Sequence, residues 1–233
     1  MAGEFAGRQI VVTGGTGALG GAVLARLLEE GAICHVPSSR SDAGGLFAGN
    51  DRVKLVADVD LADAGSVDAF YASVPDIWAS INLAGGFAMA PIEQTGPQAV
   101  SGMIDANFRS AFLCCRAAVR PMLQAGRAGR IVNVAARPAL EPRRGAGMAA
   151  YAASKAAVAA ITLALAEELK GAGILVNAIA PSTLDTPANR ASMPKADFGK
   201  WVGLDAAAAT IAWLASPGNL ATSGAVIPLY GRA

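Results

Sequence analysis

Tyr151 and Lys155 stand four residues apart in the stretch Tyr151-Ala152-Ala153-Ser154-Lys155. On a helix this spacing puts both side chains on one face, a turn apart. A phenol titrates near pH 10 and is a poor acid–base catalyst at neutrality, but a neighbouring ammonium favours its phenolate. Lowering a phenol by roughly three units takes about 4 kcal/mol of differential interaction, within reach of a partly buried site. The chemistry on offer is therefore acid–base catalysis. A Tyr-x-x-x-Lys pair alone is common and is usually a surface aromatic–lysine pair, so its meaning depends on what accompanies it.

A second constellation opens the chain. Thr13-Gly14-Gly15-Thr16-Gly17-Ala18-Leu19-Gly20 lies between a strand-like and a helix-like segment. Small residues there let backbone N–H groups approach a pyrophosphate, whose charge the helix N-terminus favours. Gly14, Gly17, Leu19 and Gly20 are the candidate contacts. Asp58 and the run Asn82-Leu83-Ala84-Gly85 end later strands, where an adenine and its ribose would rest; the plainer reading of Asp58 is a helix cap. Where an acid after the second strand would select a free ribose 2′-hydroxyl, the chain reads Pro37-Ser38-Ser39-Arg40. Ser38, Ser39 and Arg40 suit a 2′-phosphate, which favours NADP(H) and leaves NAD(H) open.

These residues need a frame. Strands are expected at Arg8–Thr13, Ala32–Val36, Val53–Ala57, Ile77–Ala84, Arg130–Val134, Ile174–Ile179 and Ala225–Leu229. Helices are expected at Ala18–Glu30, Ser66–Ser73, Ala99–Gln124, Ala149–Lys170 and Asp205–Ala215. Such alternation predicts a single-domain doubly wound α/β fold spanning residues 1–233, with helices on both faces of a parallel sheet. The Pro-rich segment from Pro181 to Gly203 follows a strand's carboxyl end and is a candidate substrate lid.

All of these parts, with Asn107, Gly129-Arg130-Ile131-Val132-Asn133-Val134, Pro181 and Thr186, occur in an order that resembles the short-chain dehydrogenase/reductase family over essentially the whole chain. The resemblance implies that Tyr151 gives or takes a proton, that Lys155 holds the nicotinamide ribose and lowers the tyrosine, and that Asn107 fixes a relay water. It also implies that Pro181, Leu184 and Thr186 belong to a segment meeting the carboxamide. The sequence departs from the pattern at Ala18, at Leu83, at Ser182 and above all at Ala135-Ala136, where many members carry a serine that polarises the substrate carbonyl. Dihydropteridine reductase, a branch of the family, shares that absence. The chain resembles it in Ala84-Gly85-Gly86 and in Thr183-Leu184-Asp185-Thr186-Pro187-Ala188-Asn189-Arg190 followed by Ser192-Met193-Pro194.

Composition narrows the alternatives. A net charge of +1 with no basic run gives no nucleic-acid footprint. The apolar run Ala156–Ala166 is too short to span a bilayer, so the alanine-rich helix is expected to be buried, against the core or a second subunit of a homodimer or homotetramer. Cys34, Cys114 and Cys115 lack metal spacing, and no leader pattern opens the chain, which together point to the cytoplasm. His35 reads as a packed strand residue, and Arg137, Arg143 and Arg144 as either a solvated loop or an attraction for anions. The leading expectation is NAD(P)H-dependent hydride transfer to or from a small-molecule C=O or C=N group. Dihydropteridine reduction is the runner-up, and a dinucleotide-binding regulator without turnover is the rival from another class.

Overall fold

Five runs of Ile, Val and Ala form the middle of the sheet: β1 (Gln9–Thr13), β2 (Ile33–Pro37), β4 (Ile77–Asn82), β5 (Gly129–Val134) and β6 (Ile174–Pro181). They are apolar almost throughout because helices cover both faces. The exposed strand β3 (Val53–Val56) closes one edge and β7 (Val226–Leu229) the other. The order is β3-β2-β1-β4-β5-β6-β7 with every pair parallel. The computed structural model describes residues 3–40, 47 and 49–232.

Alternation along β1 assigns the two faces. Ile10 and Val12 pack with Leu24 and Leu27 of α1 (Ala18–Glu29) and with Ile211 and Leu214 of α8 (Leu204–Ala215). Val11 points the other way, into a core with Val67 of α2 (Ala64–Ala72), Leu113 of α4 (Ser110–Gln124) and Leu169 of α6 (Ala149–Leu169). The chain leaves β1 toward β2 and β3, then returns to β4 on β1's other side. The ends of β1 and β4 therefore part, leaving the crevice where ligands bind in such sheets.

Four details differ from the sequence expectation. The helix foreseen at Ala99–Gln124 is α3 (Pro97–Met103), a π-helical turn at Ile104–Arg109 and α4. Helix α2 begins two residues before the expected Ser66, because Asp63 accepts the Ser66 amide at 2.7 Å. Strand β4 stops at Asn82, since the Ala84 amide donates instead to Thr13 Oγ1 at 3.1 Å. Finally, α6 is not buried all round. With the turn that follows it, the apolar helix spans Ala149–Ala172, enough by length and composition to cross a membrane. Here one face lies inward, with Lys155, Val158, Thr162 and Leu169, while Ala153, Ala160, Leu163 and Ala164 are exposed.

Side-chain hydrogen bonds tie the centre together beneath the site. Tyr71 meets Ser80 at 2.7 Å, Ser80 donates to Asn82, Asn82 donates to Asn133 at 2.8 Å and Asn133 donates to Thr162 on α6. All five residues are buried, so each polar group needs the partner it has. The chain of bonds joins α2, β4, β5 and α6.

Candidate active site

The glycine loop after β1 is shaped by contacts that leave no room for side chains. Gly14 takes a left-handed φ of +67°, and a Cβ there would stand 2.9 Å from the Ala84 amide nitrogen. A Cβ on Gly20 would meet the Gly14 carbonyl oxygen at 2.2 Å. Gly17 is the N-cap of α1 and no side chain caps that end, so the first-turn amides remain for an outside acceptor. An open cradle over an uncapped helix N-terminus is what a pyrophosphate requires, and the residues present fit one.

The turn after β2 is more committed than its sequence implies. Ser38 is buried, and its Oγ accepts the Arg40 amide at 3.1 Å. Ser39 and Arg40 are exposed and stand at the strand's carboxyl end. Asp58 is exposed with φ of +56° and is not a helix cap; Asp63 holds that position on α2.

Tyr151 and Lys155 lie on the first turns of α6, as the spacing predicted. Lys155 is buried and donates to the Val134 carbonyl, at the end of β5, at 2.7 Å. Burial pushes its ammonium down to about 8 and the Tyr151 phenol up to about 12. Desolvation thus outweighs the expected pull of the ammonium on the phenol, and Tyr151 rests as a proton donor. Gly85 closes the same space: a Cβ there would lie 2.5 Å from Asn107 Oδ1 and 3.3 Å from Lys155 Nζ.

Asn107 is buried in the π turn. Its Oδ1 accepts the Gly86 amide at 2.9 Å, and its Nδ2 donates to the Gly86 carbonyl at 3.1 Å and to Ser154 Oγ at 3.0 Å. Both amide hydrogens are spoken for, so toward any further partner Asn107 is only an acceptor. Ser154 was missed by sequence reasoning, although it sits inside the Tyr–Lys motif. Fully buried, it donates to the Tyr151 carbonyl at 2.8 Å and so joins Asn107 to the catalytic turn.

Ala136 is buried at the extended residue before the short helix α5 (Arg137–Leu140), beside β5. Arg137 pairs with Glu141 at 3.0 Å and lies 4.4 Å over the Tyr230 ring, while Arg144 reaches the same carboxylate at 3.6 Å. Arg143 is exposed, so this stretch carries three arginines and one carboxylate and keeps a net positive charge. His35 is packed in β2 against Gln9 at 2.7 Å, as expected.

Pro181 is buried at the end of β6, and the segment beyond it is pinned. Leu184 bridges to Val202, and Asp185 donates its amide to the Val202 carbonyl at 2.8 Å. Thr186 caps α7 (Pro187–Ser192), its Oγ1 accepting the Asn189 amide at 3.1 Å.

A parallel sheet with a glycine cradle at its switch point and a Tyr–Lys pair at the neighbouring strand ends defines a dinucleotide-dependent oxidoreductase. The short chain dehydrogenase family model matches residues 8–197, and the chain belongs to that family. It is an NAD(P)-dependent enzyme of the short-chain dehydrogenase/reductase type. It is 34% identical over 195 residues to the 2-dehydro-3-deoxy-L-rhamnonate dehydrogenase (NAD(+)) of Sphingomonas sp. (strain SKA58), covering 80% of this chain and 76% of that one. It is 32% identical to 3beta-hydroxysteroid dehydrogenase 1 of Eggerthella lenta, over 91% and 88% of the two chains. The crystal structure of levodione reductase superposes with a TM-score of 0.87 at 25% identity, covering 97% of each chain.

Proposed function

We propose that the chain reduces an activated small-molecule C=O or C=N group, with Tyr151 as proton donor, Lys155 as the charge that stabilises the phenolate left behind, and Asn107 as acceptor for a relay water. The observation that carries this is the buried Lys155 ammonium, fixed on the Val134 carbonyl and one helical turn from the Tyr151 phenol. The dinucleotide, when bound, supplies the hydride. Gly14, Gly17, Leu19 and Gly20 would hold its pyrophosphate, Asp58, Ala84 and Gly85 its adenosine side, and Pro181, Leu184 and Thr186 its carboxamide. Thr186 can do so only while also capping α7.

Ser39 and Arg40 favour NADP(H), with Ser38 shaping their turn rather than offering a free hydroxyl; the relatives' names do not decide this. Residues 186–199 are the proposed lid within the Pro181–Gly203 segment, since the Leu184–Val202 bridge, the Asp185–Val202 bond and the Arg232–Lys200 bond anchor its ends. The exposed apolar face of α6, with Leu163 and with Phe112 on α4 half exposed, supports a homodimer or homotetramer.

Ala136 favours one second reading. A ketone oxygen gains negative charge as hydride arrives, and one lost preorganised donor costs about 3 kcal/mol. A quinonoid imine is activated by protonation and needs that donor less, which supports dihydropteridine reduction as the narrower alternative. No observation favours the regulator without turnover, because Tyr151, Lys155 and Asn107 are all in place. The test is cofactor oxidation against carbonyl, imine and quinonoid acceptors. Turnover of activated acceptors above simple ketones is expected, and rapid reduction of simple ketones alone would contradict the reading.

A further inference from the structure

The loop that follows β4 carries three large apolar side chains within six residues, and nothing in the described chain covers them. Phe87 is 62% exposed, Met89 64% and Ile92 75%. Scattered apolar residues on a surface need no explanation, but these follow one another along the chain and the first two border the site. Phe87 lies edge-on to Tyr151, ring centroids 4.9 Å apart at 76°. Met89 reaches across to the loop leading into α6, its methyl 3.4 Å from where a Cβ on Gly147 would stand. Phe87 and Met89 therefore border the proton donor and the loop that leads into its helix.

Several polar groups on the segments that flank the site already have partners, while Arg143 is exposed. Arg137 and Arg144 share Glu141, Ser182 donates to the Tyr230 carbonyl, Asn189 donates to Leu184, and Thr186 caps α7. A hydroxyl-rich acceptor would find few unpaired groups to replace its water contacts, and unmatched polar groups are costly. An apolar body would instead shed water from itself and from Phe87, Met89 and Ile92.

We propose that Phe87, with Met89 and Ile92, is the platform for the body of the hydride acceptor, and that this acceptor carries its reacting group on an aromatic or hydrocarbon framework. Phe87 is the specificity-determining residue, since its ring packs on Tyr151 and so sets the distance between that framework and the proton donor. The proposal rests on the activated-carbonyl reading above.

The test uses three acceptors that all carry a methyl 1,2-diketone: 1-phenyl-1,2-propanedione, 2,3-butanedione and the polyhydroxylated 1-deoxyglucosone. The full-length protein should prefer the phenyl compound over the hydroxylated one by at least a hundredfold in kcat/KM. Phe87→Ala should lower kcat/KM for the phenyl compound at least tenfold, chiefly through KM, and for butanedione less than threefold. Phe87→Leu should recover part of the loss, and NADPH affinity should not move. A preference for the hydroxylated compound, or an equal effect of Phe87→Ala on all three, would overturn the proposal. So would a change of oligomeric state in Phe87→Ala by light scattering, which would make these side chains an interface between copies. Turnover of none of the three with either cofactor would instead overturn the activated-carbonyl reading beneath it.

Discussion

Asn107 donates through Nδ2 to Ser154 Oγ at 3.0 Å, and the Ser154 hydroxyl donates to the Tyr151 carbonyl at 2.8 Å. The π turn and the first turns of α6 are thereby locked to each other. Removing the hydroxyl strands a buried N–H, at a cost of about 1–3 kcal/mol, and frees the turn that aims the phenol. Ser154→Ala is expected to lower kcat about tenfold while leaving cofactor affinity unchanged. Ser154→Thr should recover most of the rate; stopped-flow kinetics and nucleotide titration check both.

Lys155 gives a pH-dependent stability. Its ammonium falls from 10.5 in the unfolded chain to about 8 in the folded one. Between those values the unfolded state holds more protons, so stability rises with pH, and the full penalty, about 3 kcal/mol, is present below pH 8. Tyr151, raised from 10 to about 12, acts in the opposite sense and only above pH 10. The melting temperature of native protein relative to Lys155→Met should therefore climb by several degrees between pH 7 and 9.5. A constant difference over that range would show that Lys155 titrates normally.

Arg40 is exposed at the end of β2, beside a turn that Ser38 organises. Arg40→Ala should weaken NADPH binding roughly tenfold and leave NADH binding unchanged, as a lost charge-assisted phosphate contact would. Fluorescence titration of both nucleotides decides it; equal weakening of the two would remove the 2′-phosphate from the account.

Ala136 predicts selectivity among acceptors. Ala136→Ser restores a hydroxyl next to β5 and should raise reduction of a simple ketone by 10- to about 100-fold, against less than threefold for a quinonoid imine. If both rise alike, or neither changes, another group already polarises the acceptor.

The strands were legible because a parallel sheet buried on both faces leaves uninterrupted apolar runs, and the Tyr151–Lys155 pair because helical spacing is fixed. The π turn was not legible: Ile104–Arg109 continues the periodicity of its flanking helices, and one extra residue per turn leaves no mark in composition. Ser154 was passed over because a serine early in a helix usually bonds its own backbone, which it does here while also meeting Asn107 from 47 residues away. Thr186 and Ser38 were read for their hydroxyls alone, and only packing reveals that one caps α7 and the other holds the Arg40 amide. The tyrosine's rise to about 12 follows from burial, a property of the fold that no spacing reports.

The central claim is that Tyr151 moves the proton in hydride transfer. The most direct measurement is single-turnover oxidation of bound NADPH by an activated acceptor in native protein and in Tyr151→Phe, with nucleotide affinity measured on the same samples. The account predicts a loss of at least a thousandfold in the transfer rate, with NADPH affinity within twofold of native. A Tyr151→Phe protein that keeps most of its rate would contradict it and place the proton donor elsewhere.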